Sequence, residues 1–510
     1  MKCFSLFVCG LLSVAAMAQE VAKPTAGSLT VSASDDQGWV RTKHETTLNG
    51  KHFSYTATVG LMPIRSDTAE IEGRMFFTSY KMENGTETSN RPILFAFNGG
   101  PGSASVYLHM GVLGPKRVKL QSNGAMPPPP YSLVDNDESI LPESDLVMID
   151  PIGTGFSRPE KPELGKKFYG VKGDIDSVGQ FIYRYLVDEG RLLSPVFVLG
   201  ESYGGVRAPG LAQYLTDAGV GLNGVVLVSP LLDTTVLWGD QSFAFFLPTY
   251  SAVAWYHHRL NPSLQAKTLE QIYAGAQQWL YDEYLPSMLR GSAIDPEIRK
   301  RLVSKVSELT GLSEQFVDNS NLRIQPDQFF KELLRDQRYV VGRYDARFLG
   351  IDQSWSTSFP EGDPSDSQVN APILSTVTHY VREDLGYKTN QGFWQERDDV
   401  GGSWQWEPFG TERLSALRGA MYRNPYMKVF VAMGYFDLAC PLTTVQQSLN
   451  QMALDPRLAG NISKNYYPAG HMMYIDDACR VKFHADLAKF VASASKPALP
   501  EKVKLQGGGR

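Results

Sequence analysis

The segment Gly200-Glu-Ser-Tyr-Gly204 decides the fold, because it places a serine among small residues at a sharp turn. An apolar run, Pro195 to Leu199, precedes it, and a helix-like run, Val206 to Leu215, follows it. A Gly-x-Ser-x-Gly pattern between a strand and a helix lifts the serine hydroxyl clear of the sheet edge. The bare pattern also occurs by chance in Gly-rich turns, but this setting is the one that its chemistry requires. We therefore predict that Ser202 is a nucleophile.

Four other short runs are continuously apolar, which is typical of parallel strands buried on both faces. They are Ile93 to Phe97, Asp145 to Ile149, Gly224 to Ser229 and Lys428 to Ala432. Between two of them, Gly173 to Leu186 places apolar residues at helical spacing. Strands that alternate with helices indicate a doubly wound sheet. Together with the serine turn, the pattern predicts an α/β-hydrolase fold, with a mostly parallel central sheet flanked by helices.

The alternation of strands and helices stops near Thr235 and resumes near Arg413. Long helix-like stretches lie between these points, for example Leu264 to Leu289 and Asp295 to Leu309. We predict a largely helical cap at residues 235–412, inserted between two parts of the hydrolase core at 19–234 and 413–495, with a tail at 496–510. The tryptophans of the cap are expected to serve its core: Trp255, Trp279, Trp355, Trp394, Trp404 and Trp406.

The amino terminus predicts export. Met1-Lys2 is positively charged, Phe4 to Ala16 is apolar or small, and Ala16-Met-Ala18 offers small residues to a signal peptidase. We expect residues 1–18 to be a signal peptide and the mature protein to be periplasmic or secreted. No later stretch reaches the about 20 apolar residues of a spanning helix, so we expect no membrane partner after cleavage.

Composition excludes one class of partner and limits the disulfides. The 510 residues carry a formal net charge of −5 with both signs mixed along the chain, so we expect no nucleic-acid partner. Of the four cysteines, only Cys440 and Cys479 lie outside the signal, which allows one disulfide or two free thiols. So few cysteines in an exported protein favour a bacterial periplasm, or secretion. The oligomeric state has no signature in the sequence.

A serine nucleophile needs a base, and the base needs an orienting carboxylate. In this fold the acid and then the histidine follow the serine along the chain. Asp437 comes shortly after the Lys428 to Ala432 strand, and His471 stands in the Gly-containing loop Ala469-Gly-His-Met472. His484 lies in a helix-like segment and is expected to be structural. The predicted triad is Ser202, Asp437 and His471, and we expect no metal and no cofactor.

The Gly-rich segment Asn98-Gly-Gly-Pro-Gly-Ser103 follows the first predicted strand. Acyl transfer needs backbone N–H donors aimed at the developing oxyanion. One is expected from the residue after the nucleophile, Tyr203, and the other from this loop, with Gly100 as the candidate. A phosphate-binding loop is the alternative, but no Lys-Ser or Lys-Thr follows and Pro101 removes a donor.

Together these segments resemble the serine carboxypeptidase family. The matching stretches are Phe97-Asn-Gly-Gly-Pro-Gly-Ser103, Asp150-Pro-Ile-Gly-Thr-Gly-Phe-Ser157, Gly200-Glu-Ser-Tyr-Gly204, Gly470-His-Met472 and the Asp437-x-x-Cys440 spacing. The resemblance implies that C-terminal amino acids are released from a peptide substrate through an acyl-enzyme. It also implies that Asn98 and Glu201 hydrogen-bond the terminal carboxylate, with Gly99 as a backbone donor. A glutamate that faces a carboxylate requires a shared proton.

The sequence departs from that family at three positions. The family usually has a second glutamate, paired with the first, where Val112 stands here. Ser103 replaces a usual cysteine, and Tyr474 stands where a proline is common. Our hypothesis is that loss of the paired glutamate weakens carboxylate recognition or moves the pH optimum towards neutral.

Three other functions remain compatible with these residues. An esterase or acyltransferase uses the same acyl-enzyme chemistry, and the fold does not choose between them. A serine aminopeptidase carries a similar Gly-rich loop, and an isolated Glu201 could equally hold an amino group. A binding protein that has lost the chemistry is the third alternative.

Overall fold

The computed structural model describes residues 38–83, 90–407 and 414–496. The expected signal peptide at residues 1–18 lies outside the described residues, and so does the expected tail apart from Lys496. The central element is a ten-stranded sheet, nine of whose strands are labelled here in chain order. They are β1 (Val40–Leu48), β2 (Lys51–Arg65), β3 (Ile71–Met82), β4 (Ile93–Phe97), β5 (Asp145–Asp150), β6 (Val196–Glu201), β7 (Leu222–Val228), β8 (Lys428–Gly434) and β9 (Ile462–Tyr467).

The sheet has the order β1-β2-β3-β5-β4-β6-β7-β8-β9, and a two-residue strand, Arg158–Pro159, pairs with β3. The six strands from β5 to β9 in this order are parallel. The first three strands form an antiparallel meander that joins the sheet at β5. The predicted α/β-hydrolase fold with a mostly parallel sheet is therefore confirmed. The five predicted strands all occur: Ile93–Phe97 has the predicted bounds, and the ends of the other four differ by at most two residues.

The described residues include nine helices of ten or more residues. They are α1 (Val171–Asp188), α2 (Gly204–Asp217), α3 (Ser242–Tyr256), α4 (Leu269–Trp279), α5 (Pro296–Thr310), α6 (Pro364–His379), α7 (Leu414–Arg423), α8 (Leu442–Gln451) and α9 (Asp477–Ala494). Within the described ranges, no helix combines the length and the apolarity needed to cross a membrane. His484 lies in α9, as the sequence predicts.

Both faces of the parallel sheet are covered, which explains why its strands read as continuous apolar runs. In β4, Phe95 and Phe97 pack on one face, and the ring of Phe95 lies 5.7 Å from that of Tyr185 in α1. The alternate residues Leu94 and Ala96 pack on the other face. Because side chains alternate along a strand, each strand contributes to two separate cores.

The segment between β7 and β8 is largely helical, and its described residues add no strand to the central sheet. The helix expected over Leu264 to Leu289 is interrupted: α4 ends at Trp279, a π-turn spans Leu280–Tyr284, and a short helix spans Leu285–Met288. Pro286 lacks the N–H that a continuous helix would use there. The boundaries of the cap at 235–412 stay a prediction.

Candidate active site

Ser202 lies directly after β6 and before α2, at the carboxyl edge of the sheet. Its φ angle is 59°, in the left-handed region that residues with a Cβ rarely adopt. The turn is held by backbone bonds, since Ser202 N–H donates to the Val228 carbonyl at 3.0 Å and the Ser202 carbonyl accepts from Leu231 N–H at 2.9 Å. A Cβ at Gly200 would overlap the Gly204 carbonyl, so the first glycine of the motif is needed for the close turn.

Asp437 and His471 follow β8 and β9, whose carboxyl ends share the edge where Ser202 lies. His471 Nδ1 is 2.7 Å from Asp437 Oδ2, and the two residues are 2% and 0% exposed. The other carboxylate oxygen, Oδ1, accepts from the backbone N–H groups of Ala439 at 2.8 Å and Cys440 at 2.9 Å. Burial alone would lower the pKa of His471, but the charge of Asp437 and its hydrogen bond outweigh burial and raise that pKa.

The serine and histidine loops meet at the end of β7. Ser229 follows the Val228 carbonyl that holds Ser202, and its Oγ donates to the His471 carbonyl at 2.7 Å. Within the described residues, the buried Nε2 of His471 has no hydrogen-bond partner, so its bond to Ser202 is not formed. Such bonds are often long without substrate and tighten when substrate binds. The structure brings Asp437 and His471 into contact, and the triad as a whole stays a prediction.

A segment of the insertion, residues 344–347, braces the histidine loop, and the sequence did not predict it. The Tyr344 carbonyl accepts from His471 N–H at 2.6 Å, and the two rings lie 5.3 Å apart. Asp345 Oδ2 accepts from Gly470 N–H at 3.0 Å and pairs with Arg347 at 2.7 Å. Arg347 in turn donates to the Pro468 carbonyl at 3.0 Å. The Asp345–Arg347 pair therefore holds the histidine loop on both sides of Ala469.

Asp345→Ala is expected to lower kcat about 100-fold, because a small misplacement of a catalytic group has about that cost. The substitution removes the acceptor of Gly470 N–H and leaves the Arg347 guanidinium with Asp476, 3.1 Å away, as its remaining carboxylate partner. Steady-state kinetics on an activated ester would measure the loss. Asp336→Ala is the matched control, because Asp336 lies in the same insertion but pairs with Arg259 at the surface. Equal kinetics for the two variants would contradict the bracing role.

The Gly-rich loop after β4 lies directly over the nucleophile turn. A Cβ at Gly99 would overlap Tyr203 N and lie 3.0 Å from Ser202 Cβ. Gly100 has a φ of 93°, which favours glycine at this position. The structure therefore brings the loop and Tyr203 N together, as expected for two sources of oxyanion donors, and the donor roles of Gly100 and Tyr203 stay a prediction.

The stretch Asp150-Pro-Ile-Gly-Thr-Gly-Phe-Ser157 holds the Gly-rich loop in place through hydrogen bonds. Asp150 Oδ1 accepts from Ser105 N–H at 2.8 Å, and Ser105 Oγ accepts from Asn98 N–H at 3.2 Å. Burial raises the pKa of Asp150 to about 7. The Ser157 hydroxyl donates to the Asp150 carbonyl at 2.6 Å. The structure thus gives this motif a positioning role that the sequence did not specify.

Asn98 and Glu201 form a buried pair beside the triad. Asn98 Nδ2 donates to Glu201 Oε1 at 2.9 Å, and the Tyr474 hydroxyl donates to Oε2 at 2.6 Å. Asn98 is fixed further because its carbonyl accepts from the buried Arg207 at 2.7 Å. Burial raises the pKa of Glu201 to about 7, although the positive charge on His471 and both hydrogen bonds act against burial.

The other positions singled out in the sequence are also buried. Val112 is 1% exposed. Cys440 and Cys479 are both free thiols, which resolves the alternative left open by the sequence. Burial raises the pKa of the Cys440 thiol well above its ordinary value, and that of Cys479 to about 12. Across the described ranges, no group of three or more His, Cys, Asp or Glu residues is placed to hold a metal ion.

Two of the tryptophans expected to serve the core of the cap contact Tyr203, the residue after the nucleophile. The Tyr203 ring makes edge contacts with Trp404 at 5.2 Å and Trp406 at 5.6 Å. Trp406 also packs edge-on against Trp238 at 5.0 Å, and it is 38% exposed. This segment also contacts the first part of the core, since Val171 N–H, at the start of α1, donates to the Gln405 carbonyl, and sequence spacing does not reveal that contact.

Comparison with known proteins agrees with this geometry. The family model described as "Serine carboxypeptidase" matches residues 50–471. Serine carboxypeptidase-like 46 of Arabidopsis thaliana is 22% identical over 405 residues, which cover 70% of this chain and 83% of the relative. Serine carboxypeptidase-like 13 of the same plant is 28% identical over 186 residues, and the matched part spans only 41% of that relative.

A solved structure supports the fold. Kex1(delta)p, a prohormone-processing carboxypeptidase from Saccharomyces cerevisiae, has a TM-score of 0.53 and 18% sequence identity to this chain. The superposition covers 85% of this chain and 91% of the yeast protein. At this identity the likeness concerns the arrangement of strands and helices.

Proposed function

The chain belongs to the serine carboxypeptidase family, and on that premise we propose that it releases C-terminal amino acids from peptides through an acyl-enzyme at Ser202. The observation that carries this proposal is the buried hydrogen bond between Asn98 of the Gly-rich loop and Glu201, the residue directly before the nucleophile. A polar pair buried at that place is suited to fix one end of a substrate next to the reacting carbonyl.

We assign the steps of acyl transfer to the groups at the sheet edge. Ser202 Oγ attacks the carbonyl carbon, while His471 Nε2 takes its proton and Asp437 holds the protonated imidazole. The N–H groups of Tyr203 and Gly100 stabilise the oxyanion. His471 then gives the proton to the leaving amine, which departs as the free amino acid. A water, activated by the same imidazole, hydrolyses the ester and restores Ser202.

The terminal carboxylate is recognised, in this proposal, by three donors. Asn98 Nδ2 has a second hydrogen, Gly99 supplies its N–H, and Glu201 donates when it is protonated. Because the pKa of Glu201 lies at about 7, its protonated form exists mainly below that pH. His471 must be neutral to act as a base, so activity rises with pH through the pKa of His471. Binding of free carboxylates falls as pH rises through the pKa of Glu201, and the two limbs give a bell-shaped profile.

The experiment that tests this function compares three dipeptides of one sequence and an ester. The first dipeptide is blocked at the N-terminus only, the second is blocked at both ends, and the third is blocked at the C-terminus only. The wild-type protein is expected to release an amino acid from the peptide with a blocked N-terminus and a free C-terminus, and to lose that activity when the C-terminus is amidated. Cleavage that requires a free N-terminus would establish an aminopeptidase instead. Hydrolysis of esters alone would establish an esterase, and failure to react with a fluorophosphonate would leave only a binding protein.

We also propose that the protein is exported to a bacterial periplasm or to the medium. The support is the charged and apolar amino terminus that ends at Ala18, together with only two cysteines in the remaining chain, both free. The expected mature protein begins at Gln19. Amino-terminal sequencing after expression of the full chain would measure this, and an intact Met1 on the active protein would contradict it.

A further inference from the structure

Tyr474 is unusual in two respects, one seen in the sequence and one in the structure. It stands where the resembled family commonly has a proline, and its ring fills space that only a glycine at position 111 leaves open. A Cβ added at Gly111 would lie 2.5 Å from Tyr474 Cε2. The ring is fully buried, and its hydroxyl ends 2.6 Å from Glu201 Oε2.

We propose that the Tyr474 hydroxyl replaces the missing second carboxylic acid as the partner of Glu201, and that capture of the peptide carboxylate is thereby limited to a lower pH than a Glu201 without this donor would allow. This inference rests on the proposed carboxypeptidase function. It identifies Tyr474 as a positioning residue that acts through Glu201. Val112 stands at the position of the missing acid and presents no polar side chain.

A tyrosine hydroxyl and a carboxylic acid differ as partners of a carboxylate. Two carboxyl groups at one site share a proton, so one of them keeps it to a higher pH. A phenol donates its hydrogen bond to the ionised carboxylate and stabilises it. Here burial raises the pKa of Tyr474 well above its ordinary value, which favours the protonated hydroxyl that donates to Glu201. Glu201 therefore has no second carboxyl group with which to share a proton.

No other group that faces Glu201 among the described residues is recorded as a donor to Oε2, the oxygen that accepts from the Tyr474 hydroxyl. Asn98 Nδ2 bonds the opposite oxygen, Oε1. The ionisable neighbours from other loops are His471, whose charge lowers the pKa of Glu201, and Asp437, whose charge raises it. Cys440 also lies near Glu201, and Tyr107 lies near Tyr474. Behind Asn98, the charge of Arg207 is paired with Asp174 at 2.7 Å.

The test measures KM and kcat from about pH 5 to about pH 9 for an N-blocked dipeptide with a free carboxylate and for an N-blocked amino-acid ester that has none. Tyr474→Phe removes one donor to the ionised glutamate, which we expect to move the rise in dipeptide KM by about one unit towards higher pH. At pH 8 the dipeptide KM is then about fivefold lower than in wild type. The ester profile keeps its wild-type shape, because no carboxylate is bound.

Two further variants decide between outcomes. Tyr467→Phe is the matched control, since this buried tyrosine donates to Asp486 at 2.8 Å and is expected to keep the wild-type dipeptide profile. Glu201→Gln carries no titrating carboxyl, and its dipeptide KM is expected to lose the rise with pH. A Tyr474→Phe profile that superimposes on wild type, or a rise that persists in Glu201→Gln, would overturn the role of Tyr474. A wild type that cleaves the ester but never the dipeptide would instead overturn the proposed function.

Discussion

Replacing Ser202 by alanine is expected to lower kcat for peptide hydrolysis by about 10⁶-fold, the loss typical of removing a triad nucleophile. Without the hydroxyl, no acyl-enzyme forms, and the remaining donors only bind substrate. Alanine keeps the Cβ, so the backbone with its φ of 59° is retained and the fold stays intact. Steady-state kinetics would measure the loss of kcat, fluorophosphonate labelling the loss of the reactive hydroxyl, and a thermal unfolding curve the retained fold. Peptide hydrolysis at an unchanged rate would remove Ser202 from the mechanism.

Glycine at the same position separates catalysis from backbone strain. Ser202→Gly is expected to be equally inactive but about 1 kcal/mol more stable than wild type, because glycine adopts a positive φ without steric cost. Denaturant unfolding would measure the gain. Ser375→Gly is the matched control, since Ser375 is exposed within α6 and the same change there lowers stability by about 0.5 kcal/mol. A Ser202→Gly variant less stable than wild type would show that the turn stores no strain.

Which strands the sequence reveals depends on how they are buried. β4, β5 and β6 are buried on both faces, so they appear as continuous apolar runs. β1 alternates between exposed and half-buried residues along most of its length. β9 lies at the opposite edge of the sheet and carries Ser463, Lys464 and Asn465. A search for continuous apolar segments therefore finds β4 to β8 in the centre of the sheet and misses the edge strands β1 and β9, as well as β2 and β3 of the antiparallel meander.

The same distinction applies to the candidate site. The order Ser202, Asp437, His471 follows from the connections of the fold, and the Asp437–His471 contact agrees with it. The brace formed by Asp345 and Arg347 has no local pattern, because it joins residues about 125 positions apart along the chain. Tyr474 was recognisable as a departure, but its bond to Glu201 depends on packing against Gly111 that no spacing rule gives.

Asp437→Asn is expected to lower kcat about 10⁴-fold, although asparagine has nearly the same shape as aspartate. The reason lies in the partners of its two oxygens. Asp437 Oδ1 accepts from two backbone N–H groups, those of Ala439 and Cys440. These donors require the amide oxygen of asparagine at that position, so the amide NH₂ must point at His471 Nδ1.

The reversed amide changes the state of the histidine. When the NH₂ donates to Nδ1, the imidazole carries its proton on Nε2, the atom that must accept the proton of Ser202. The charge that raises the pKa of His471 is also lost, and the buried ring then has a lower pKa. The acid limb of the residual activity is therefore expected at lower pH than in wild type.

Kinetics on an activated ester across pH would measure both effects of Asp437→Asn, and the change in kcat should exceed the change in KM, because the carboxylate contacts no substrate. Asp486→Asn is the matched control: Asp486 lies in α9, accepts from Tyr467 and Lys482, and this variant is expected to keep the wild-type kcat. A loss below tenfold in Asp437→Asn would mean that His471 works without a fixed tautomer. The buried hydrogen bond between these residues would then serve the fold rather than the chemistry.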